Sequence, residues 1–188
     1  MYRFAAALLI AMALAWWQAD TNSSPLSAGV KDDYKTIRDY FIRAAEKMPE
    51  SEYGFKPSPD VRTFAQQIAH VADDQYNLCA PAKGETRHAA YTAIESTLSK
   101  KADLLVALKD AFAYCDGAYD ALTDTWGARP SLGRDRNRFA MLNWNLWHTW
   151  EHYGNVVVYL RMKGLVPPSS EQKPGGAFET RITLILSF

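Results

Sequence analysis

Trp147-His148-Thr149-Trp150-Glu151-His152-Tyr153-Gly154 is the stretch from which the fold of this 188-residue chain can be read. It lies in a long run, about 137–163, whose apolar residues recur at helical spacing. On a helix, His148 and His152 stand one turn apart on one face, with Met141, Trp144, Asn145, Asn155 and Tyr159. Two imidazoles at that spacing suit one metal ion, but two ligands do not make a site. The same pair in an aromatic helix is also compatible with ordinary packing.

The rest of the chain supplies three more helices. Backwards from the opening stretch, 126–136 holds two Gly, one Pro and four charges and reads as a loop. Before it, a helix is expected over about Lys100 to Thr123, capped by Ser99, with Leu104, Leu108, Phe112, Cys115 and Tyr119 as its core side. Gly117 within that helix suggests a close helix approach. Residues 81–96 form a long crossover, which permits a parallel pair of helices on either side. Its Glu85-x-x-His88 matches a di-iron spacing but lacks the required second copy, so His88 reads as a loop residue. Another helix runs from Val61 to about Ala80 behind Asp60 as N-cap, and the first from Val30 to Lys47. The last helix stops at Gly164, with Pro167-Pro168 beyond. Four helices with long connections around one apolar core imply an all-α four-helix bundle.

His70 lies on the helix after Asp60, sharing a face with Gln66, Gln67, Asp73, Asp74 and Asn77 rather than with the apolar Phe64, Ile68 and Val71. A surface histidine and a ligand at the mouth of a polar pocket give the same pattern, and periodicity does not choose between them.

Composition narrows the function classes. Lys and Arg number 21 against 21 Asp and Glu, with no basic block, so nucleic acid is not an expected partner. Neutrality suits a small-molecule ligand or none. Residues 1–15 combine Arg3, an unbroken apolar run from Phe4 to Leu14 and small residues after it, the pattern of a signal peptide. The run falls short of the about 20 residues a spanning helix needs, although Trp16 and Trp17 could extend it into an anchor. The expected product is exported, periplasmic or extracellular, with no membrane contact after cleavage, a linker over 16–29 and the bundle over 30–170. The tail over 171–188 ends in a strand-like apolar segment with no assigned role, and self-association as a homodimer is open. Outside the cytoplasm Cys79 and Cys115 could pair, since parallel helices would bring them to similar heights; two small buried hydrophobes is the alternative.

Several local patterns together resemble the DinB family. They are Ala45-Glu46-Lys47-Met48-Pro49, Tyr53-Gly54-Phe55-Lys56-Pro57, Phe64, the run Gln67-Ile68-Ala69-His70-Val71-Ala72-Asp73, His148, His152-Tyr153-Gly154, Tyr159-Leu160-Arg161 and Val166-Pro167-Pro168-Ser169. The resemblance covers about residues 30–170. It implies an up-down-down-up arrangement of the four helices and a divalent metal held by one histidine of the second helix and two of the fourth. Here those are His70, His148 and His152. Family members include thiol-dependent S-transferases and isomerases as well as proteins labelled as metal-dependent hydrolases.

A site of three neutral imidazoles keeps the ion's full charge and leaves positions open for water or a thiolate. Zinc or nickel is the first expectation for the ion, with iron and manganese as alternatives. The outer ring nitrogens need acceptors; Asp74 and Glu151, each about one turn from a histidine, are candidates, with plain solvation as the alternative for both. Helical-face arithmetic puts Asn77, Trp144, Asn145 and Tyr159 on the pocket walls. The expected function is metal-dependent hydrolysis or transfer on a small molecule. A non-catalytic metal-binding or assembly bundle is the alternative. His148-x-x-Glu151-His152 also fits an inverted zinc-protease motif, but the only acids downstream are Glu171 and Glu179, in the tail.

Overall fold

The apolar stripes read from the sequence belong to four long helices that bury them against one another. The computed structural model describes residues 24–86 and 93–171. The expected signal segment 1–15, most of the linker, His88, and the tail after Glu171 lie outside the described residues. The helices are α1 (Pro25–Lys47), α2 (Phe64–Lys83), α3 (Ile94–Thr97), α4 (Lys101–Ala121), α5 (Asp124–Gly127) and α6 (Arg138–Met162). There is no β-strand among the described residues, and no helix there is long and apolar enough to cross a membrane.

Several boundaries differ from those expected. Helix α1 starts at Pro25, not Val30, because proline suits the first helical position. Buried Ser27 also anchors that end, giving its backbone N–H and its hydroxyl to Asp124 on α5. Asp60 does not cap α2. Thr63 does, in a reciprocal capping box with Gln66, and the next two N–H groups go to the carbonyls of Phe55 and Tyr53. Helix α2 runs through Pro81 to Lys83 and ends on Gly84 at φ 89°. Lys100, not Ser99, precedes α4. Asn137 caps α6 through Ala140 N–H at 2.8 Å. Gly164, at φ 72°, ends that helix, with Leu165 N–H donating to the Leu160 carbonyl at 2.9 Å.

The helix ends meet in a consistent way. Lys101, opening α4, donates to the Glu46 and Met48 carbonyls at the end of α1, at 2.7 and 2.8 Å. Tyr53 donates to the Ala45 carbonyl and sets its ring on Phe64, which opens α2. Phe64 in turn lies against Tyr159 near the end of α6. The starts of α2 and α4 thus sit beside the ends of α1 and α6.

Aromatic residues fill the core, with Tyr34 stacked on Tyr119 at 3.6 Å between centroids. Cys79 on α2 and Cys115 on α4, both fully buried, are joined as a disulfide with their Cα atoms 5.5 Å apart. Beside it runs a buried polar chain. The Tyr119 hydroxyl meets the Leu142 carbonyl and Asn145 Oδ1. Asn145 Nδ2 donates to Gln75 Oε1, and Gln75 Nε2 donates to Thr149 Oγ1, each at 3.1 Å. Unpaired polar groups there would each cost about 1–3 kcal/mol, so the chain fixes how α2 and α6 align. Facing pairs step in opposite directions along the two helices: Phe64 with Tyr159, Gln67 with His152, Asp74 with His148, Gln75 with Asn145.

Gly117 does not mark a close helix approach, because a Cβ there would meet nothing within 4 Å. Among the described residues the tight glycine is Gly127, where a Cβ would stand 3.0 Å from Phe139 Cβ and 3.1 Å from Leu122 Cδ1.

Candidate metal centre

The alignment fixed by Gln75 and Thr149 brings three histidines together where α2 crosses α6. His70, His148 and His152 each offer a ring nitrogen, and the three nitrogens lie within 4.8 Å of one another, a group that could hold a metal ion. The Nε2 atoms of His148 and His152 are 3.1 Å apart. The ring of His70 stands 4.6 Å from that of His152 and 5.5 Å from that of His148, centroid to centroid. His70 is half-buried at this crossing, on the polar face of α2 that periodicity assigns to it.

Two of the rings are oriented from outside. Gln67 Oε1 lies 2.8 Å from His152 Nδ1, and a carbonyl oxygen only accepts, so the His152 proton sits on Nδ1. Its Nε2 is left as a lone pair facing His148. Likewise Glu95 Oε2 lies 3.1 Å from His70 Nδ1, and Nε2 of that ring faces the site. Glu95 is placed by its neighbour Asp73, whose carboxylate accepts from the backbone N–H groups of Ile94 and Glu95 at 2.8 and 2.9 Å and so ties α3 to α2. Arg62 closes the outer side through Nε to Glu95 Oε1 at 2.7 Å.

Electrostatics keep the α6 pair neutral. Burial first, then the neighbouring rings of His148 and His70 and the Arg62 charge, push His152 down to about 3. Burial also lowers His148, against the opposing pull of the Asp74 carboxylate. Neutral imidazoles with lone pairs converging on one point form the donor set that a divalent ion needs.

The remaining expected residues fall in different places. Asp74 does not take an outer nitrogen. As the residue one turn beyond His70 it faces the inner side, with Oδ2 at 3.0 Å from His70 Nε2 and 3.5 Å from His148 Nε2. The outer role at His70 belongs to Glu95, which the sequence placed in a crossover. Glu151 is exposed on α6 and lines an open groove of about 820 Å³ together with His152, Lys56, Asp60, Asn155 and Tyr159. Tyr159 is a wall of that groove, and its hydroxyl donates to the Arg62 carbonyl at 2.6 Å. Asn77, Trp144 and Asn145 are not among its lining residues. Asn145 is a core residue, fully buried in the polar chain described above. Trp144 packs under the Arg136 guanidinium and beside Trp147. Asn77 donates to Asp74 Oδ1 at 3.3 Å. Glu171, the downstream acid considered for a protease-type site, is ion-paired with Arg43 and Lys47 on α1 instead.

The chain matches the sequence model of the DinB superfamily over residues 33–156. It belongs to the DinB superfamily. Solved structures with the same fold include a DinB-like protein from Bacillus subtilis, 19% identical, with a TM-score of 0.61 over 77% of this chain and 99% of that one. A DinB-like protein from Bacillus cereus is 14% identical, with a TM-score of 0.59 over 75% and 95% of the two chains. The mycothiol-dependent maleylpyruvate isomerase is 18% identical, with a TM-score of 0.55 over 79% of each chain. At these identities the likeness to the DinB structures is one of fold. No curated protein matches the chain.

Proposed function

We propose that this DinB-superfamily protein holds one divalent metal ion through His70, His148 and His152 and uses it in hydrolysis or group transfer on a small molecule. The observation that carries this reading is the convergence of three imidazole nitrogens from two helices, two of them with their outer nitrogen engaged by Gln67 and Glu95. When bound, such an ion supplies Lewis acidity toward water or a thiol. The protein's own residues do the rest. Gln67 and Glu95 orient the rings of His152 and His70 from their outer nitrogens. Burial keeps the α6 pair uncharged. The groove beside His152 has the size of a small-molecule pocket, and Lys56, Arg62, Asp60, Glu151 and Asn155 give it mixed polar contacts with which to orient a ligand. Zinc and nickel suit the nitrogen-rich donors best, and iron or manganese also fit. The apolar N-terminal run supports action outside the cytoplasm, where the buried disulfide would persist. The mycothiol-dependent isomerase among the structural neighbours makes thiol conjugates a sensible substrate class to assay beside esters and amides.

The test is metal analysis of untagged protein by mass spectrometry, with His148→Ala as the variant. About one ion per chain in the wild type, lost in the variant, is the expected result. Protein that arrives metal-free and takes up neither zinc, nickel nor manganese overturns the reading. If metal binds, but stripping it lowers the melting temperature without changing turnover of any substrate in the panel, the ion is structural and the catalytic part fails.

A further inference from the structure

The carboxylate of Asp74 stands on the inner side of the histidine cluster. Its Oδ2 is 3.0 Å from His70 Nε2 and 3.5 Å from His148 Nε2, and His148 Nε2 is 3.1 Å from His152 Nε2. Donors about 2.0–2.1 Å from a shared ion lie about 3.3 Å apart in a tetrahedron and about 3.0 Å apart at adjacent corners of an octahedron. The three separations just given, 3.0, 3.1 and 3.5 Å, lie about those values. Asp74's other oxygen is held, since Asn77 Nδ2 donates to Oδ1 at 3.3 Å and turns Oδ2 toward the rings. A carboxylate oxygen thus stands close to ring nitrogens of two of the three histidines, an arrangement that a shared cation would stabilise.

We propose that Asp74 is a fourth protein donor, so that the ion sits among three nitrogens and one carboxylate oxygen. This rests on the metal reading of the three histidines. The carboxylate cuts the net charge of a divalent site to +1 and moves its preference toward harder ions than imidazoles alone select. It also leaves fewer positions for a ligand entering from the groove.

The experiment compares wild type with Asp74→Asn and Asp74→Ser, using zinc affinity by chelator competition and the visible absorption of the cobalt(II)-substituted protein. Circular dichroism melting identifies a variant that does not fold, and the other variant then serves. If Asp74 is a donor, zinc affinity falls by about 100-fold or more, beyond the about 10–100-fold of partners that only orient a ligand, and the cobalt bands change in position and intensity. Unchanged affinity overturns the proposal. So does reduced affinity with an unchanged cobalt spectrum, because Asp74 would then act only by orienting His70. A wild type that binds no divalent ion fails the histidine reading itself, whereas a wild type that binds and an Asp74→Asn protein that binds equally well fails this inference alone.

Discussion

Gln67 on α2 fixes the tautomer of His152 on α6 across the helix interface, with its amide oxygen 2.8 Å from Nδ1. Replacing Gln67 by Leu keeps the bulk and removes the acceptor, so the ring no longer presents Nε2 as a fixed lone pair. Zinc affinity is expected to fall about 10–100-fold with the helical circular dichroism spectrum unchanged. Chelator competition measures it, and equal affinity would remove Gln67 from the site.

The depressed His152 and His148 make the metal-free protein acid-sensitive in a defined window. An unfolded histidine takes up its proton near pH 6.5, while folded His152 resists down to about 3. Between those values the unfolded chain binds more protons, so folded stability is complete above about pH 6.5 and is lost as pH falls toward 3. Chelator-treated wild type should show a melting temperature that declines from pH 7 to pH 4. His152→Gln should decline less steeply, and parallel curves would contradict the account.

Breaking the Cys79–Cys115 link releases a 36-residue separation in the unfolded chain, worth about 3–4 kcal/mol by loop entropy. Urea unfolding with and without reductant should show a loss of about that size. Both sulfurs are fully buried, so reduction should be slow in the native state and fast once denaturant is added.

Gly117 lies inside α4 with open space around it. Alanine there is expected to stabilise the protein by about 0.5–1 kcal/mol, since it limits the unfolded chain and clashes with nothing. Alanine at Gly127 is expected to destabilise it, because Phe139 and Leu122 stand at 3.0 and 3.1 Å from the new carbon. Denaturant midpoints of the two variants should move in opposite directions.

The helical class was legible because each long element carries an apolar stripe at 3.6-residue spacing, and Asn137 and Gly164 punctuate α6 as their chemistry dictates. Thr63-x-x-Gln66 was equally visible as a capping box, but Asp60 three residues earlier offered a competing cap. His148 and His152 could be paired from spacing. His70 could not, because a ligand at a polar crossing and a solvated histidine have the same neighbours in sequence; family resemblance pointed to it. Asn145 shows the opposite failure. Face arithmetic placed it with the histidines, yet one turn deeper along α6 the same face enters the core, where Tyr119 and Gln75 occupy its amide. Glu95 left no local signal at all, since its role depends on Asp73 catching two backbone N–H groups across 21 and 22 residues.

That tether has an architectural consequence. The group that stands beside His70 is carried by a four-residue helical turn, tied to α2 by the Asp73 carboxylate, seated on the core through buried Ile94 and braced by Arg62. Sequence changes in the span between α2 and α4 that spare Ile94 can therefore alter the surroundings of His70 with little disturbance to the four long helices. In this chain, durability and adaptability reside in physically separate parts.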